Sequence, residues 1–100
     1  MKRALLPLTL IALFSSSAFA ADPVAKVNGK AIPANRANVL LANQMAQGQA
    51  KTPELEAAVK EELVRREVLT QEALKKGMDK KSDVQAQLDL ARQGVLIGAY

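Results

Sequence analysis

Residues 52–77 constrain the fold most, because they carry the signals of one long amphipathic helix from start to end. Thr52 is a suitable N-cap, since its hydroxyl can accept a backbone hydrogen bond, and Pro53 fits the first helical position. Gly77 favours the left-handed conformation that ends a helix. An apolar stripe runs between these signals: Leu55, Val59, Leu63, Val64, Val68, Leu69 and Ala73. Other elements must therefore pack against this helix.

A short β-hairpin is predicted ahead of the helices. Residues 24–27 and 30–32 are β-prone, and Asn28-Gly29 between them suits a type I′ turn, which needs positive φ at both central residues. A lone two-stranded hairpin is marginally stable in water. We therefore expect it to lie on the helices or to pair with a strand from elsewhere.

Two further helices flank the long one in sequence. Pro33 suits the first turn of a helix over residues 34–47, whose apolar positions are Ala37, Leu40, Leu41 and Met45. Ser82, with Gln85 three residues later, forms a capping-box pattern for a last helix, whose apolar face is Val84, Leu88, Ala91, Val95 and Ala99. No stop signal precedes Tyr100, so we expect the module to continue beyond this chain. The predicted fold is mainly α: a short N-terminal β-hairpin followed by three amphipathic helices.

Residues 1–20 have the pattern of a Sec-type signal peptide. Lys2 and Arg3 precede an apolar run of about 11 residues, which is too short for a spanning helix of roughly 20. Small residues mark a cleavage site before the mature chain: Ala18, Ala20 and Ala21. The sequence thus predicts export to the periplasm, a domain over residues 21–100, and no stable membrane insertion after cleavage.

Composition removes several classes of function. The chain has no His, no Cys and 3% aromatic residues, which argues against zinc, thiol and Ser-His-Asp chemistry and against base stacking. Its net charge of +4 falls by two once Lys2 and Arg3 are removed, so a nucleic-acid partner is not expected. No cofactor, metal or catalytic residue is predicted.

The remaining charged groups have structural interpretations. Two groups of acidic residues could be considered for acid–base catalysis: Glu61, Glu62 and Glu67, and Asp79 with Asp83. Basic residues at helix spacing favour a solvated face for them instead. The segment 79–83 lacks the glycine and terminal Glu of a calcium loop. Four lysines form a basic cluster: Lys75, Lys76, Lys80 and Lys81. Their positions are typical of a helix C-terminus followed by a solvated loop. The alternative is that the cluster binds an acidic surface of a partner.

The order of the segments adds a resemblance. The chain carries, in turn, a signal peptide, VNGKAI at 27–32, EELVRREVL at 61–69, EALKKGMD at 72–79, DVQAQL at 83–88 and VLIGAY at 95–100. This order resembles the N-terminal chaperone region of periplasmic parvulin-type peptidyl-prolyl isomerases, the SurA/PrsA-like foldases. The resemblance implies a region that cradles unfolded exported polypeptides, a returning strand that completes the module, and a separate parvulin domain that isomerises prolyl bonds. Parvulin sites contain His, and this chain has none, so no catalytic residue carries over.

The function expected from this resemblance is the client-binding and scaffold part of an exported isomerase and chaperone that assists secreted or outer-membrane proteins. The expected partners are unfolded or extended polypeptides, with homo-oligomerisation left open. The candidate client contacts are uncovered apolar positions: Leu41, Met45, Val95, Leu96 and Tyr100. Two alternatives are a stand-alone non-enzymatic periplasmic chaperone and a helical docking subunit whose last helix completes a partner's bundle.

Overall fold

A computed structural model describes residues 22–100 of the protein. The elements are strands β1 (Ala25–Val27) and β2 (Lys30–Ile32), helices α1 (Ala34–Ala46) and α2 (Pro53–Lys75), a short 3-10 helix (Met78–Lys80) and helix α3 (Ser82–Ala99). The predicted class, a short hairpin followed by three helices, is confirmed. The predicted signal peptide and its cleavage site at Ala18, Ala20 and Ala21 lie outside the described residues. Among the helices of residues 22–100, none has the length and apolar character needed to span a bilayer.

The hairpin forms through the turn that the sequence predicts. Val27 pairs with Lys30 in an antiparallel register, which leaves Asn28 and Gly29 as the two turn residues. Both have positive φ, 52° for Asn28 and 81° for Gly29, as a type I′ turn requires. The support that the hairpin needs comes from α2, which contacts both strands.

The core lies where the hairpin meets α2. Val27 and Ile32 of the hairpin are buried together with Val59 and Leu63 of α2. Ile32 is only 1% exposed, which makes it the most deeply buried apolar side chain of the described residues. Partly buried apolar residues surround this cluster: Val24, Ala25, Ala37, Leu40, Leu41, Leu55 and Val64. The core is small, so each of its few side chains has a large share in stability.

Helix α2 has the predicted ends. The hydroxyl of Thr52 accepts a hydrogen bond from the backbone N–H of Leu55 at 3.1 Å, and Pro53 is the first helical residue. Gly77 follows the helix with φ of 71°, in the left-handed region. The predicted apolar stripe is wrong at Val68 and Leu69, which are exposed because no described element covers the last turns of that face.

Helix α1 begins at Ala34, as predicted, and Pro33 is its N-cap. The start of α3 departs from the prediction. Ser82 is the first residue of α3 and makes no capping hydrogen bond, because the cap position falls on Lys81, so the predicted capping box is wrong. Every side chain from residue 85 to residue 100 is exposed. Val84 at the start of the predicted apolar face is half-buried, but from Leu88 onward this face is not covered by any element of the described part of the chain.

Candidate polypeptide-binding surface

A buried carboxylate joins the hairpin to both α1 and α2. Glu67 of α2 is only 3% exposed. Its Oε1 accepts a hydrogen bond from the guanidinium of Arg36 of α1 at 3.2 Å, and its Oε2 lies 3.9 Å from Nζ of Lys30 in β2. The prediction that Glu67 lies on a solvated face with Glu61 and Glu62 is wrong for Glu67, because its partners come from other elements and not from one helical turn away.

Gln71 extends this network to the turn of the hairpin. Its side-chain N–H group donates to Oε2 of Glu67 at 2.8 Å and to the backbone carbonyl of Val27 at 3.0 Å. Its side-chain oxygen accepts a hydrogen bond from Asn28 at 2.8 Å. A single amide therefore satisfies a strand carbonyl, a turn residue and a buried carboxylate. The network holds the hairpin in one orientation on α2.

Two carboxyl groups of α2 have a lowered pKa. The hydrogen bond from Gln71 and the charges of Lys30 and Arg36 hold the pKa of Glu67 below its usual value, although burial opposes this shift. Hydrogen bonds from Arg65 and Arg66 lower the pKa of Glu62 to about 2. Both groups are thus anionic at neutral pH. They stabilise the fold as charged partners and are not poised as general acids.

Surface ion pairs on α2 follow the predicted pattern only in part. The sequence of α2 predicts four acid–base pairs spaced four residues apart: Glu56–Lys60, Glu61–Arg65, Glu62–Arg66 and Glu72–Lys76. Only Glu62–Arg66 forms within the described residues, at 2.9 Å. Glu62 also pairs with Arg65, three residues on, at 2.7 Å. One carboxylate thus binds two guanidinium groups. The four lysines of the predicted basic cluster are exposed, as expected for a solvated helix end: Lys75, Lys76, Lys80 and Lys81.

An open groove of about 820 Å³ lies between α1 and α2, above the buried Glu67. We call it the α1/α2 groove. Its α1 wall carries Asn35, Val39 and Asn43, its α2 wall carries Leu63, Arg66 and Thr70, and Lys30 and Arg36 also line it. The groove therefore combines apolar side chains with cations and amides. The α1/α2 groove is lined by residues of β2, α1 and α2, whereas the second surface, described next, lies on α3.

The exposed apolar end of α3 is the second surface. Arg92 is the last charged residue, and the stretch from Gln93 to Tyr100 carries no charged side chain. Val95 and Ile97 are each 73% exposed, Leu96 is 59% exposed, and Tyr100 is fully exposed. Apolar side chains on all sides of a helix are typical of a segment that is buried against a partner.

The five predicted client contacts do not form one surface. Val95, Leu96 and Tyr100 share the end of α3. Met45 is exposed near the end of α1, whereas Leu41 is half-buried and packs against the core. Sequence patterns did not indicate the cationic groove, because Arg66 lies 30 positions after Arg36 in the chain and on a different helix from Arg36. The signal that could have found it is the pair Asn35 and Asn43, which lie on the same side of a predicted helix.

No catalytic constellation is visible among residues 22–100. Within that range the acidic side chains do not assemble into a group of three or more that could hold a metal ion. What the described residues present to solvent is exposed apolar side chains, exposed cations and amide groups.

Comparison with known proteins finds relatives that share most of this chain's length. The chain is 39% identical over 79 residues to proteins of Bordetella pertussis, Bordetella parapertussis and Bordetella bronchiseptica, each named "Probable parvulin-type peptidyl-prolyl cis-trans isomerase". The match covers 79% of this chain but 31% of each relative, so the chain spans about a third of their length. No family model and no solved structure matches the chain. The chain is therefore similar to a segment of these relatives, which are named as parvulin-type peptidyl-prolyl cis-trans isomerases.

Proposed function

We propose that residues 21–100 are the client-binding and scaffold part of an exported peptidyl-prolyl isomerase that also acts as a chaperone. The observation that carries this proposal is the uncovered, charge-free end of α3, where Val95, Leu96 and Ile97 are more than half exposed. A large exposed apolar patch is typical of a surface that binds other proteins. The similarity to named isomerases supplies the reaction in which a bound client would take part.

The mechanism of this segment is binding. Extended segments of unfolded clients contact the apolar end of α3, and Met45 on α1 adds an adaptable apolar contact. Such contacts depend on side-chain hydrophobicity and not on precise geometry, so recognition is broad and weak. Binding holds the client near an isomerase domain elsewhere in the complete protein. That domain lowers the barrier of roughly 20 kcal/mol to rotation about the X–Pro bond.

The test uses the complete polypeptide encoded by the reading frame and an unfolded outer-membrane protein diluted from urea. Light scattering measures how far the protein suppresses aggregation of this client. The variant Leu96→Ser removes an apolar side chain from the end of α3, and Leu69→Ser is its matched control, since the two leucines are 59% and 56% exposed. We expect Leu96→Ser to weaken suppression and Leu69→Ser to retain it. Equal suppression by both variants and the parent would contradict binding by α3.

The isomerase and the export route need their own measurements. A prolyl-isomerase assay on the complete polypeptide, with a proline-containing peptide as substrate, should show activity that residues 21–100 do not have. Fractionation should place the protein in the periplasm, with Ala21 as the first residue of the mature chain. A cytosolic protein that retains Lys2 and Arg3 would contradict export.

The unpartnered α3 also favours a second candidate, a docking subunit in which α3 completes the helical bundle of another protein. The two candidates differ in stoichiometry. Size-exclusion chromatography with light scattering should show a stable complex of fixed composition for a docking subunit. A folded monomer that binds unfolded clients only transiently supports the chaperone.

A further inference from the structure

We propose that the α1/α2 groove binds an extended polypeptide segment through an acidic side chain, so that the protein prefers clients in which a carboxylate lies beside an apolar residue. The inference rests on the proposed client-binding function and names a substrate class for it. The groove is distinct from the apolar end of α3, which in the proposed function binds unfolded clients through hydrophobic contacts alone. Its walls combine cations and amides with apolar side chains, whereas the end of α3 carries apolar side chains without any charge.

Cations with unused hydrogen-bond donors surround the groove. Lys30, Arg36 and Arg66 line it, and Glu67 is the single carboxylate among its lining residues. Arg36 donates one hydrogen bond to Glu67, Arg66 donates through Nε to Glu62, and Nζ of Lys30 makes an ion pair without a hydrogen bond. The terminal guanidinium nitrogens of Arg66 make no hydrogen bond to any residue of the described range. The groove therefore has an excess of positive charge and free N–H groups, which complement a carboxylate.

Two amides suit the backbone of an extended chain. Asn35 and Asn43 both line the groove, eight positions apart on α1. Eight positions span about 12 Å along a helix, and an extended chain covers that distance in about four residues at roughly 3.3 Å each. Each amide offers a donor and an acceptor, so together they can pair with peptide groups about four residues apart. This spacing favours an extended peptide over a compact anion such as phosphate.

Apolar residues lie between the polar ends. Val39 is exposed and Leu40 is half-buried on the α1 side, and Leu63 is the buried apolar residue of the α2 wall. An apolar client side chain can cover Val39 and Leu40 while a neighbouring carboxylate reaches Arg66 or Lys30. Ion pairs between the client carboxylate and these cations would lie at a partly exposed site, so each contributes little to the binding free energy. Together they give a preference of about three- to ten-fold for an acidic client over its uncharged counterpart.

The experiment compares two fluorescein-labelled peptides of the same apolar sequence, one with a central Asp and the other with Asn. Fluorescence anisotropy with the complete polypeptide measures both dissociation constants. We expect the Asp peptide to bind about three- to ten-fold more tightly at low salt, and the preference to shrink at high salt. Arg66→Gln and Lys30→Gln should each reduce the preference.

Lys80→Gln is the matched control, because it removes the same charge from an exposed residue of the 3-10 helix outside the groove. It should leave the preference unchanged. Circular dichroism verifies that each variant is folded. Asn43→Ala should weaken the binding of both peptides equally, since it removes an amide that pairs with the peptide backbone. Loss of the preference in Lys80→Gln to the same extent as in Arg66→Gln would assign it to net charge and overturn the inference. Equal binding of both peptides, with aggregation suppression through Leu96 intact, overturns the inference and leaves the proposed function standing.

Discussion

The buried carboxylate of Glu67 on α2 accepts a hydrogen bond from Arg36 on α1 at 3.2 Å, across 31 positions of sequence. This contact ties the two helices on either side of the α1/α2 groove. The same carboxylate receives a hydrogen bond from Gln71, which also binds the hairpin. Removing the charge of Glu67 therefore affects three elements at once, whereas most surface charges affect one.

Glu67→Gln is expected to lower the melting temperature by a few degrees. The variant keeps the size of the side chain but places an uncharged amide beside the cations of Lys30 and Arg36. Thermal unfolding followed by circular dichroism measures the effect. Glu61→Gln is the control, since Glu61 is exposed and makes no ion pair within residues 22–100. A melting temperature of Glu67→Gln equal to that of the control would show that the buried contacts add nothing.

Acid should destabilise the fold in a window set by the two lowered carboxyl pKa values. Glu62 and Glu67 titrate below the ordinary value of 4.5 when folded, so the unfolded chain binds more protons as the pH falls. Their contribution is complete above about pH 4.5 and is lost as the pH falls through the folded pKa values. Urea unfolding between pH 3 and pH 7 should show this decline. Glu67→Gln should make it shallower, and an unchanged slope would contradict the role of Glu67.

Truncation of Ile32 should lower the free energy of unfolding more than truncation of any exposed apolar side chain. It is 1% exposed at the junction of the hairpin with α2, and Ile32→Ala should lower the free energy of unfolding by about 2–4 kcal/mol. The control Val39→Ala, at an exposed site of α1, should stay within about 0.5 kcal/mol of the parent. Urea denaturation of both variants measures the difference. Similar values for the two would mean that the hairpin does not share the core.

Alanine substitutions at two glycines should change the stability of the protein in opposite directions. Gly29 has φ of 81° in the hairpin turn, where alanine is strained, so Gly29→Ala should destabilise the protein by about 1–2 kcal/mol. Gly94 lies inside α3 with open space around it, so Gly94→Ala should stabilise that helix by about 0.5–1 kcal/mol. Amide hydrogen exchange separates the effects, since Gly94→Ala should slow exchange only in α3. Faster exchange in α3 of Gly94→Ala would contradict its helical structure.

Local chemistry made the hairpin and α2 predictable. The Asn28-Gly29 pair determines a turn through its own backbone preferences, and Thr52 and Gly77 determine helix ends through contacts within a few residues. Each signal acts over a short stretch of chain, so a single sequence contains it completely. The fold class followed from these signals.

The buried network and the exposed α3 were not predictable in the same way. The neighbours of Glu67 in sequence suggested a solvated face, but its partner Arg36 lies on another helix, and only the packed structure brings the two together. The periodicity of Val84, Leu88 and Val95 shows that α3 has an apolar face. Periodicity does not show whether anything covers that face, because a covered and an uncovered helix have the same pattern.

The attachment of α3 has a mechanical consequence. The helix follows the 3-10 helix that begins at Met78, just after the left-handed Gly77, and its contacts are with that short segment. Its 18 residues extend about 27 Å, so a rotation of about 20° at Gly77 would displace Tyr100 by roughly 9 Å. A small change in the two backbone dihedral angles of Gly77 would therefore change the distance between the apolar end of α3 and the α1/α2 groove by a large amount.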